Sequence, residues 1–292
     1  VPVWGSLTGV RPGKLATRLM KGGQTPAQAK KTLEKTYFVS PQRARLCVEA
    51  AEAGRIAKEA LDPNHISLYV GIPFCPTRCT YCSFVSQAVE KSFRLMEPYL
   101  EALMAEIQQA GQMVKDTGLA IRSFYMGGGT PTSLPAPLLA RVLKACKPFM
   151  DHVSEVTVEA GRPDTIDREK LDIILQSGAT RISINPQTGH DITLQRIGRH
   201  HTARQTEDAY ALARQAGFHH INMDLIAGLP TDDFDGFRRS LDAVAALNPA
   251  NITVHTLALK KGADLFEKRE GLSSPEAVTA MVDYANTTLR AL

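Results

Sequence analysis

The chain has 292 residues, of which 43% are hydrophobic and 22% charged, proportions that are ordinary for a soluble globular protein. The net charge of +4 is too small to indicate a nucleic-acid partner, and no apolar run approaches the roughly 20 residues that cross a bilayer. Five cysteines without a signal-peptide pattern indicate a reducing compartment. We therefore expect a cytoplasmic protein with no nucleic-acid partner and no membrane span.

The first 64 residues read as a helical lead-in. Thr25-Pro26 and Ser40-Pro41 each place a capping residue before a proline that suits the first helical turn, and the second pair opens an amphipathic run to Leu61. A break at Asp62-Pro63-Asn64 then separates this N-terminal helical domain, residues 1–64, from a core domain, residues 65–292.

The chain ends inside an apolar periodic pattern that starts at Ser274. It also begins at Val1 without an initiator methionine. Because a chain end within an amphipathic helix leaves its apolar face poorly covered, we expect a fragment whose core domain is truncated at the C-terminus.

From Ser67 onward, short β-branched runs alternate with helical stretches at intervals of roughly 30 residues. The predicted strands are 67–73, 121–127, 154–160, 181–186, 220–227 and 251–258. The predicted helices are 92–116, 135–149, 165–177, 203–216, 236–247 and a last one after 275. This alternation predicts an α/β fold with parallel strands, and six units favour a partial (β/α)6 barrel over a flat doubly wound sheet.

Three cysteines, Cys75, Cys79 and Cys82, follow the first predicted strand at C-x3-C-x2-C spacing. Thiolate is the preferred protein ligand of iron–sulfur clusters and a common ligand of zinc. A structural zinc site fills four protein positions, and His65 is the nearest candidate for the fourth. A cubane cluster held by three thiolates instead leaves one iron open to another ligand. We favour the cluster over a zinc knuckle.

The two other cysteines, Cys47 and Cys146, fall in helical runs and are predicted core residues.

Polar and glycine-rich residues recur where the predicted strands end, and chemistry collects at that edge in parallel βα folds. The glycine run Gly127-Gly128-Gly129 lets backbone approach a ligand closely, although a plain turn would explain it equally well. Glu159 and Asp224 are carboxylates in apolar strands, where each is either a site residue or a structural group with hydrogen-bond partners. Arg199, on a later loop, is either a site residue or a surface arginine.

The cysteine spacing, with Tyr81 before the third cysteine, resembles the signature of the radical S-adenosylmethionine (SAM) superfamily. The motifs 68–75, 127–131, 158–160 and 224–230 are similar to those of the oxygen-independent coproporphyrinogen III oxidase family, whose members include HemN-, HemW- and HemZ-like proteins. Two further stretches, Gly9-Val10-Arg11-Pro12 and Asn185-Pro186-Gln187, resemble its HemZ branch, coproporphyrinogen dehydrogenase. The resemblance covers about residues 5 to 290.

The resemblance implies a radical SAM barrel in which Cys75, Cys79 and Cys82 bind a [4Fe-4S] cluster whose open iron is chelated by SAM. The residues that it assigns to SAM are Tyr69, Tyr81, Gly128, Gly129, Thr130, Glu159, Gln187, Arg199, Asp224 and Ala258. An arginine suits the SAM carboxylate, and a carboxylate suits the ribose hydroxyls or the amino group.

The resemblance also implies an activity in heme biosynthesis. A reductant such as flavodoxin or ferredoxin would reduce the cluster, and SAM cleavage would give a 5′-deoxyadenosyl radical. That radical would remove hydrogen from the β-carbon of a propionate, and loss of CO2 and one electron would leave a vinyl group. Two such events convert coproporphyrinogen III to protoporphyrinogen IX. The cofactors perform the difficult chemistry, and the protein positions them.

Two positions depart from the family pattern. Phe84 stands where established coproporphyrinogen oxidases carry a further cysteine, and Gly71 stands where a histidine is usual. Both departures bear on decarboxylation and leave the cluster ligands intact. A heme chaperone of the HemW type is the main alternative, favoured by Phe84, whereas the helical lead-in favours the HemZ branch. A third possibility is another radical SAM enzyme acting on a tetrapyrrole, such as a heme-opening methyltransferase.

Overall fold

The computed structural model describes residues 2–7, 11–268 and 270–292. Gly9 and Val10 of the N-terminal motif lie outside the described residues. The chain forms two compact units, of which the first ends at His65 and the second begins at Ile66.

The first unit contains three helices: α1 (Pro12–Lys21), α2 (Pro26–Thr36) and α3 (Pro41–Glu59). Each begins with proline, whose missing N–H costs nothing in the first turn. The side chains of Thr25 and Ser40 accept hydrogen bonds from the backbone at the starts of α2 and α3. The two predicted helix starts are therefore confirmed. Small and aliphatic side chains such as Ala16, Leu33, Ala44 and Val48 form a separate core in this unit.

The strands alternate with helices along the second part of the chain. In chain order the strands are β1 (His65–Ile72), β2 (Phe74–Cys75), β3 (Gln87–Ala88), β4 (Ala120–Gly128), β5 (Glu155–Glu159), β6 (Arg181–Ser183), β7 (His220–Ala227) and β8 (Asn251–Thr256). The helices are α4 (Val89–Ser92), α5 (Met96–Thr117), α6 (Ala136–Met150), α7 (Arg168–Gln176), α8 (Asp191–Arg196), α9 (Ala203–Ala216), α10 (Phe234–Ala246), α11 (Asp264–Lys268) and α12 (Pro275–Ala291). None of the helices in the described ranges combines the length and the hydrophobicity that a membrane span requires.

Six strands form one sheet in the order β1-β4-β5-β6-β7-β8, so that the order in space follows the order in sequence. The pairs from β4 to β8 are parallel, and β2 and β3 pair separately. Each crossover therefore moves one strand further along the sheet, which is the arrangement of a (β/α) barrel. Since β1 and β8 remain the ends of the sheet, the fold is the predicted partial (β/α)6 barrel.

The core lies between the sheet and its helices. Phe124 and Met126 of β4 are buried there, and Val156 and Val158 occupy the equivalent face of β5. Because side chains alternate along a strand, Glu159 lies on the opposite face, toward the barrel interior. The apolar face thus stabilises the sheet while the other face supplies polar groups. The predicted core positions Cys47 and Cys146 are buried, in α3 and α6 respectively.

Several elements differ from the sequence prediction at their ends. β6 stops at Ser183 and not at residue 186, because Pro186 cannot donate to a ladder and Gln187 has a left-handed backbone with φ of 68°. α7 begins at Arg168, where Asp167 accepts a hydrogen bond from the Lys170 N–H. The short elements β2, β3, α4, α8 and α11 were not predicted, since they are too short to carry a periodic pattern.

Replacing the core residue Phe124 by alanine tests the described packing. The side chain is 1% exposed in β4, so Phe124→Ala should lower the free energy of unfolding by about 3–5 kcal/mol, as large-to-small core changes do. Phe93→Ala is the matched control because Phe93 is 61% exposed, and about 0.5 kcal/mol or less is expected there. Denaturant titration measures both, and equal losses would contradict the assigned core.

Candidate cluster and cofactor site

A cavity of about 310 Å³ lies at the carboxyl ends of the barrel strands. Its volume is at the lower end of the roughly 300–1,000 Å³ that is typical of small-molecule sites. Every residue that the sequence analysis assigned to the cluster or to SAM lines this cavity, with the exception of Tyr69. Those lining it are Cys75, Cys79, Tyr81, Cys82, Gly128, Gly129, Thr130, Glu159, Gln187, Arg199, Asp224 and Ala258.

Tyr69 lies on β1, with 60% of its surface exposed. Its ring stacks on that of Tyr125 in β4, with 5.8 Å between the ring centroids and 9° between the planes. It does not contribute to the cavity wall, so its contact with SAM stays a prediction.

The cysteine loop is attached to the polypeptide that surrounds it. The Cys82 N–H donates to the Cys79 carbonyl at 3.0 Å, which tightens the segment between these two predicted ligands. The Thr80 N–H donates to the Ile197 carbonyl at 3.0 Å, and the Thr77 hydroxyl donates to the Gly198 carbonyl at 2.6 Å. The segment between α8 and α9 therefore positions the loop.

The three thiols suit a cluster better than a single ion. Within residues 2–7, 11–268 and 270–292, no three His, Cys, Asp or Glu side chains gather around one point as a single metal ion would require. In a cubane cluster each thiolate binds a different iron, so the sulfurs line a shared space without meeting at one point. The proposed fourth zinc ligand, His65, is engaged elsewhere: its Nδ1 accepts from the Asp62 N–H at 3.0 Å. His65 Nε2 also lies 3.4 Å from Asp62 Oδ2, so both ring nitrogens of the predicted fourth zinc ligand already have a local partner.

Burial controls the protonation of two of these cysteines before cluster binding. It raises the pKa of the Cys75 thiol, although the Thr130 hydroxyl, 3.7 Å from Cys75 Sγ, acts in the opposite direction. Burial also raises the pKa of the Cys82 thiol. Cluster binding must therefore release protons from these groups.

The glycine run brings backbone close to the cysteine loop. The Gly129 N–H donates to the Ile72 carbonyl at 2.8 Å, and the Thr130 N–H donates to the Phe74 carbonyl at 2.7 Å. A Cβ at Gly129 would lie 2.6 Å from the Phe74 oxygen and 3.0 Å from Cys75 Sγ, so no side chain fits there. The run is therefore more than a plain turn, since it joins β4 to the cluster loop.

Two carboxylates face each other across the barrel interior. Burial and the negative charge of Asp224 raise the pKa of Glu159 to about 7, while a hydrogen bond from the Gly128 backbone opposes this shift. Asp224 accepts a hydrogen bond from Asn222 Nδ2 at 2.7 Å. A carboxyl group that titrates near neutral pH inside a cavity is typical of a functional site.

Several buried polar atoms in the cavity wall have no partner within the described part of the chain. They are Gln187 Oε1, Asn185 Oδ1 and Arg199 Nε. The other guanidinium nitrogens of Arg199 donate to the Asn185 carbonyl and, at 3.2 Å, to the Gly161 carbonyl. Gln187 is also held in a left-handed backbone conformation, which non-glycine residues adopt at a cost. Buried polar groups without partners destabilise a fold unless a ligand completes them, and these would suit the amino-acid and ribose groups of SAM.

Arg162 is a cavity residue that was not predicted from the sequence. This arginine lines the cavity, is only 2% exposed, and places Nη1 3.8 Å from Cys79 Sγ. Arg162 follows Gly161, just beyond the end of β5. This position after a strand end was the one feature of the sequence that could have indicated a site residue. His201 lies behind it, and burial together with the Arg199 charge lowers the pKa of His201 to about 3, so the ring is neutral.

The raised pKa of Glu159 predicts a pH-dependent stability for the cluster-free chain. The folded state retains the proton up to about pH 7, whereas the unfolded chain loses it near 4.5, so stability falls as the pH rises through this interval. The full difference corresponds to roughly 3 kcal/mol. Glu159→Gln should remove this loss, and the variant should exceed the wild type in unfolding free energy at pH 8 but not at pH 4.

Urea titration at the two pH values provides the measurement. Glu155→Gln, at the exposed start of the same strand, is the matched control and should change stability little at either pH. A Glu159→Gln variant with the wild-type pH dependence would show that Glu159 does not titrate as described.

Comparison with known proteins gives a consistent family. The model of the radical SAM superfamily matches residues 69–244, which is more than half of the chain. The oxygen-independent coproporphyrinogen-III oxidase-like protein HemZ of Bacillus subtilis is 38% identical over 97% of this chain and 58% of its own length. The heme chaperone HemW of Haemophilus influenzae is 34% identical over 67% of this chain and 51% of its own length.

The solved structure of the coproporphyrinogen III oxidase HemN from Escherichia coli, a radical SAM enzyme, superposes with a TM-score of 0.69. Its sequence is 26% identical, and the alignment covers 77% of this chain and 52% of that one. The chain thus spans about half the length of the relatives that it matches. Proteins of this superfamily use a [4Fe-4S] cluster and SAM. The chain belongs to the radical SAM superfamily, and its relatives are those of the oxygen-independent coproporphyrinogen III oxidase family.

Proposed function

We propose that this chain forms the catalytic core of a radical SAM enzyme that converts coproporphyrinogen III to protoporphyrinogen IX by oxidative decarboxylation of two propionates. The observation that carries the proposal is the cavity at the strand ends, where three thiols, a glycine run and unpartnered polar groups face one space. The similarity to HemZ, which extends over 97% of the chain, supports the choice of substrate.

The residues present fit the two cofactors. Cys75, Cys79 and Cys82 would hold the cluster. Because Gly129 has no side chain, its backbone lies close to Cys75 Sγ without a clash. Arg199 Nε and Gln187 Oε1 are the buried donor and acceptor that SAM would complete. When bound, the cluster and SAM supply a radical oxidant that removes a hydrogen atom from the substrate.

The chain's own residues orient the cofactor and control its charge. Glu159, with its pKa near 7, can accept hydrogen bonds from hydroxyl or amino groups without adding a full negative charge beside Asp224. Lys260 lines the same cavity and forms no ion pair among the described residues. It would therefore pair with a propionate carboxylate of the substrate. Phe84, 61% exposed at the cavity, would cover the apolar macrocycle.

The extent of similarity favours the dehydrogenase over the chaperone. The HemZ alignment covers nearly the whole chain, the helical lead-in included, whereas the HemW alignment covers 67% of it. Phe84, in place of a further cysteine, is the observation that favours a heme chaperone of the HemW type as the second candidate. We propose further that the protein works in the cytoplasm with a low-potential reductant such as flavodoxin or ferredoxin.

The test uses the intact chain, reconstituted anaerobically with iron and sulfide and supplied with SAM, a reductant and coproporphyrinogen III. Chromatography and mass measurement should show 5′-deoxyadenosine together with a porphyrinogen that has lost two CO2 units. Cys79→Ala should abolish both products because it removes a cluster ligand. Cys146→Ala, which truncates a buried cysteine of α6, should retain them and serves as the matched control.

The opposite outcomes separate the candidates. If 5′-deoxyadenosine forms without any change in the porphyrinogen, decarboxylation is contradicted while the radical SAM core stands. Tight stoichiometric heme binding under the same conditions would then identify the chaperone. A methylated or ring-opened product would indicate another reaction on a tetrapyrrole.

A further inference from the structure

Arg162 makes an unusual set of contacts for an arginine that is almost completely buried. Its Nε and Nη2 donate to the two carboxylate oxygens of Asp164 at 3.1 and 3.2 Å. Its Nη1 donates to the Thr77 hydroxyl at 3.2 Å and points to Cys79 Sγ at 3.8 Å. Asp164 and Thr77 thus fix the guanidinium plane on one side. Nη1, which also lies 3.4 Å from the Thr77 carbonyl, faces the sulfur of a predicted cluster ligand.

The contact with Thr77 links this arginine to the cysteine loop. Thr77 lies between Cys75 and Cys79, and its hydroxyl is also bonded to the Gly198 carbonyl. Arg162 therefore reaches the middle of the loop from the end of β5. A planar guanidinium held by two hydrogen bonds to a carboxylate has little freedom to move, which makes it suited to positioning.

The titratable groups around Arg162 and Cys79 include Arg199, Asp164, His201 and Tyr81, of which Arg199 and Tyr81 also interact electrostatically with the Cys79 thiol. Arg162 and Arg199 are positive, Asp164 is negative, and His201 is neutral. Burial alone would raise the pKa of Asp164, but the Arg162 guanidinium outweighs it and holds that pKa below its usual range. Asp164 thus compensates the charge of Arg162, while the N–H that faces Cys79 stays available to the sulfur.

We propose that Arg162 is a positioning residue that hydrogen-bonds to the Cys79 thiolate and raises the reduction potential of the cluster. The proposal rests on the cluster assignment and is independent of decarboxylation. Reduction adds one electron, taken from a low-potential one-electron reductant, to the cluster and so increases its negative charge. An N–H donor and a nearby positive charge stabilise the reduced form more than the oxidised form. Because the Arg162 side chain is almost completely buried, solvent screens its charge less than that of an exposed arginine.

Three variants of the reconstituted chain test the proposal, with dithionite as the reductant and the cluster signal followed by electron paramagnetic resonance. Asp164→Asn keeps the guanidinium and removes its compensating charge, so the midpoint potential should become more positive. Arg162→Gln combined with Asp164→Asn removes both charges without leaving either unpaired, and the potential should become more negative. Arg162→Lys keeps the charge and loses the planar fork, and a smaller negative shift is expected.

An exposed pair of the same chemistry provides the matched control. Arg168 and Asp172 on α7 form an ion pair at 2.8 Å with both side chains solvent-accessible. Arg168→Gln combined with Asp172→Asn should leave the potential unchanged. Iron and sulfide analysis of each variant reports cluster loading separately from potential.

A purely structural role would lower cluster loading or thermal stability and leave the potential of the loaded cluster at the wild-type value. An unchanged potential in the loaded variants would overturn the proposal. So would potentials of Asp164→Asn and of the double variant that both shift in the same direction. If the double variant fails to load a cluster, the test rests on Asp164→Asn. An unchanged or more negative potential in that variant contradicts the proposed charge effect. A wild-type chain that loads no cluster would contradict the cluster assignment itself.

Discussion

The parallel order of the sheet is the constraint on which the site depends. Because neighbouring strands from β4 to β8 run in one direction, their carboxyl ends meet at one edge and bring together residues that are far apart in sequence. The charge of Asp224 raises the pKa of Glu159 because β5 and β7 run in the same direction and bring both side chains to one cavity. The apolar faces of the strands stabilise this order against the helices, so the polar face is free to serve binding.

Burying polar groups at that edge of the sheet lowers the stability of the chain, and contacts within the fold do not fully compensate for this loss. A carboxyl group with a pKa near 7, a glutamine in the left-handed region and polar atoms without partners all destabilise the chain in the absence of a ligand. Residues that lower stability in this way concentrate at functional sites. If the proposed function holds, cofactors complete the surface of this cavity, and stability and function oppose each other there.

Much of this arrangement could be predicted from the sequence, because it follows from local patterns. The β-branched runs and helix-capping prolines identified the six barrel strands, the long helices between them and the two helices that begin at Pro26 and Pro41. The C-x3-C-x2-C spacing and the glycine run predicted a cluster loop with backbone beside it, and the structure brings the two segments together. Their common location follows from the rule that parallel strands present their carboxyl ends together.

What the sequence did not reveal depends on contacts between distant residues. Arg162 and Cys79 are separated by 83 positions, and only the fold brings the guanidinium to the sulfur. Gln187 has a left-handed backbone and forms an isolated bridge to Leu225 of β7, and neither feature follows from the local sequence. Tyr69 was grouped with the SAM contacts by resemblance, yet its ring stacks on Tyr125 outside the cavity wall. Contacts of this kind can be recognised only when the positions of both contacting residues are known.

The most direct test of the central claim is spectroscopic and independent of any substrate. The reduced, reconstituted chain would be mixed with SAM whose amino nitrogen is isotopically labelled, and the hyperfine coupling between that nitrogen and the cluster would be measured. Coupling that disappears in Cys82→Ala would place SAM on the open iron of a cluster held by this cysteine triad, as the account predicts. A cluster signal that labelled SAM leaves unchanged would contradict it, because the cavity would then not be the site where the cofactors meet.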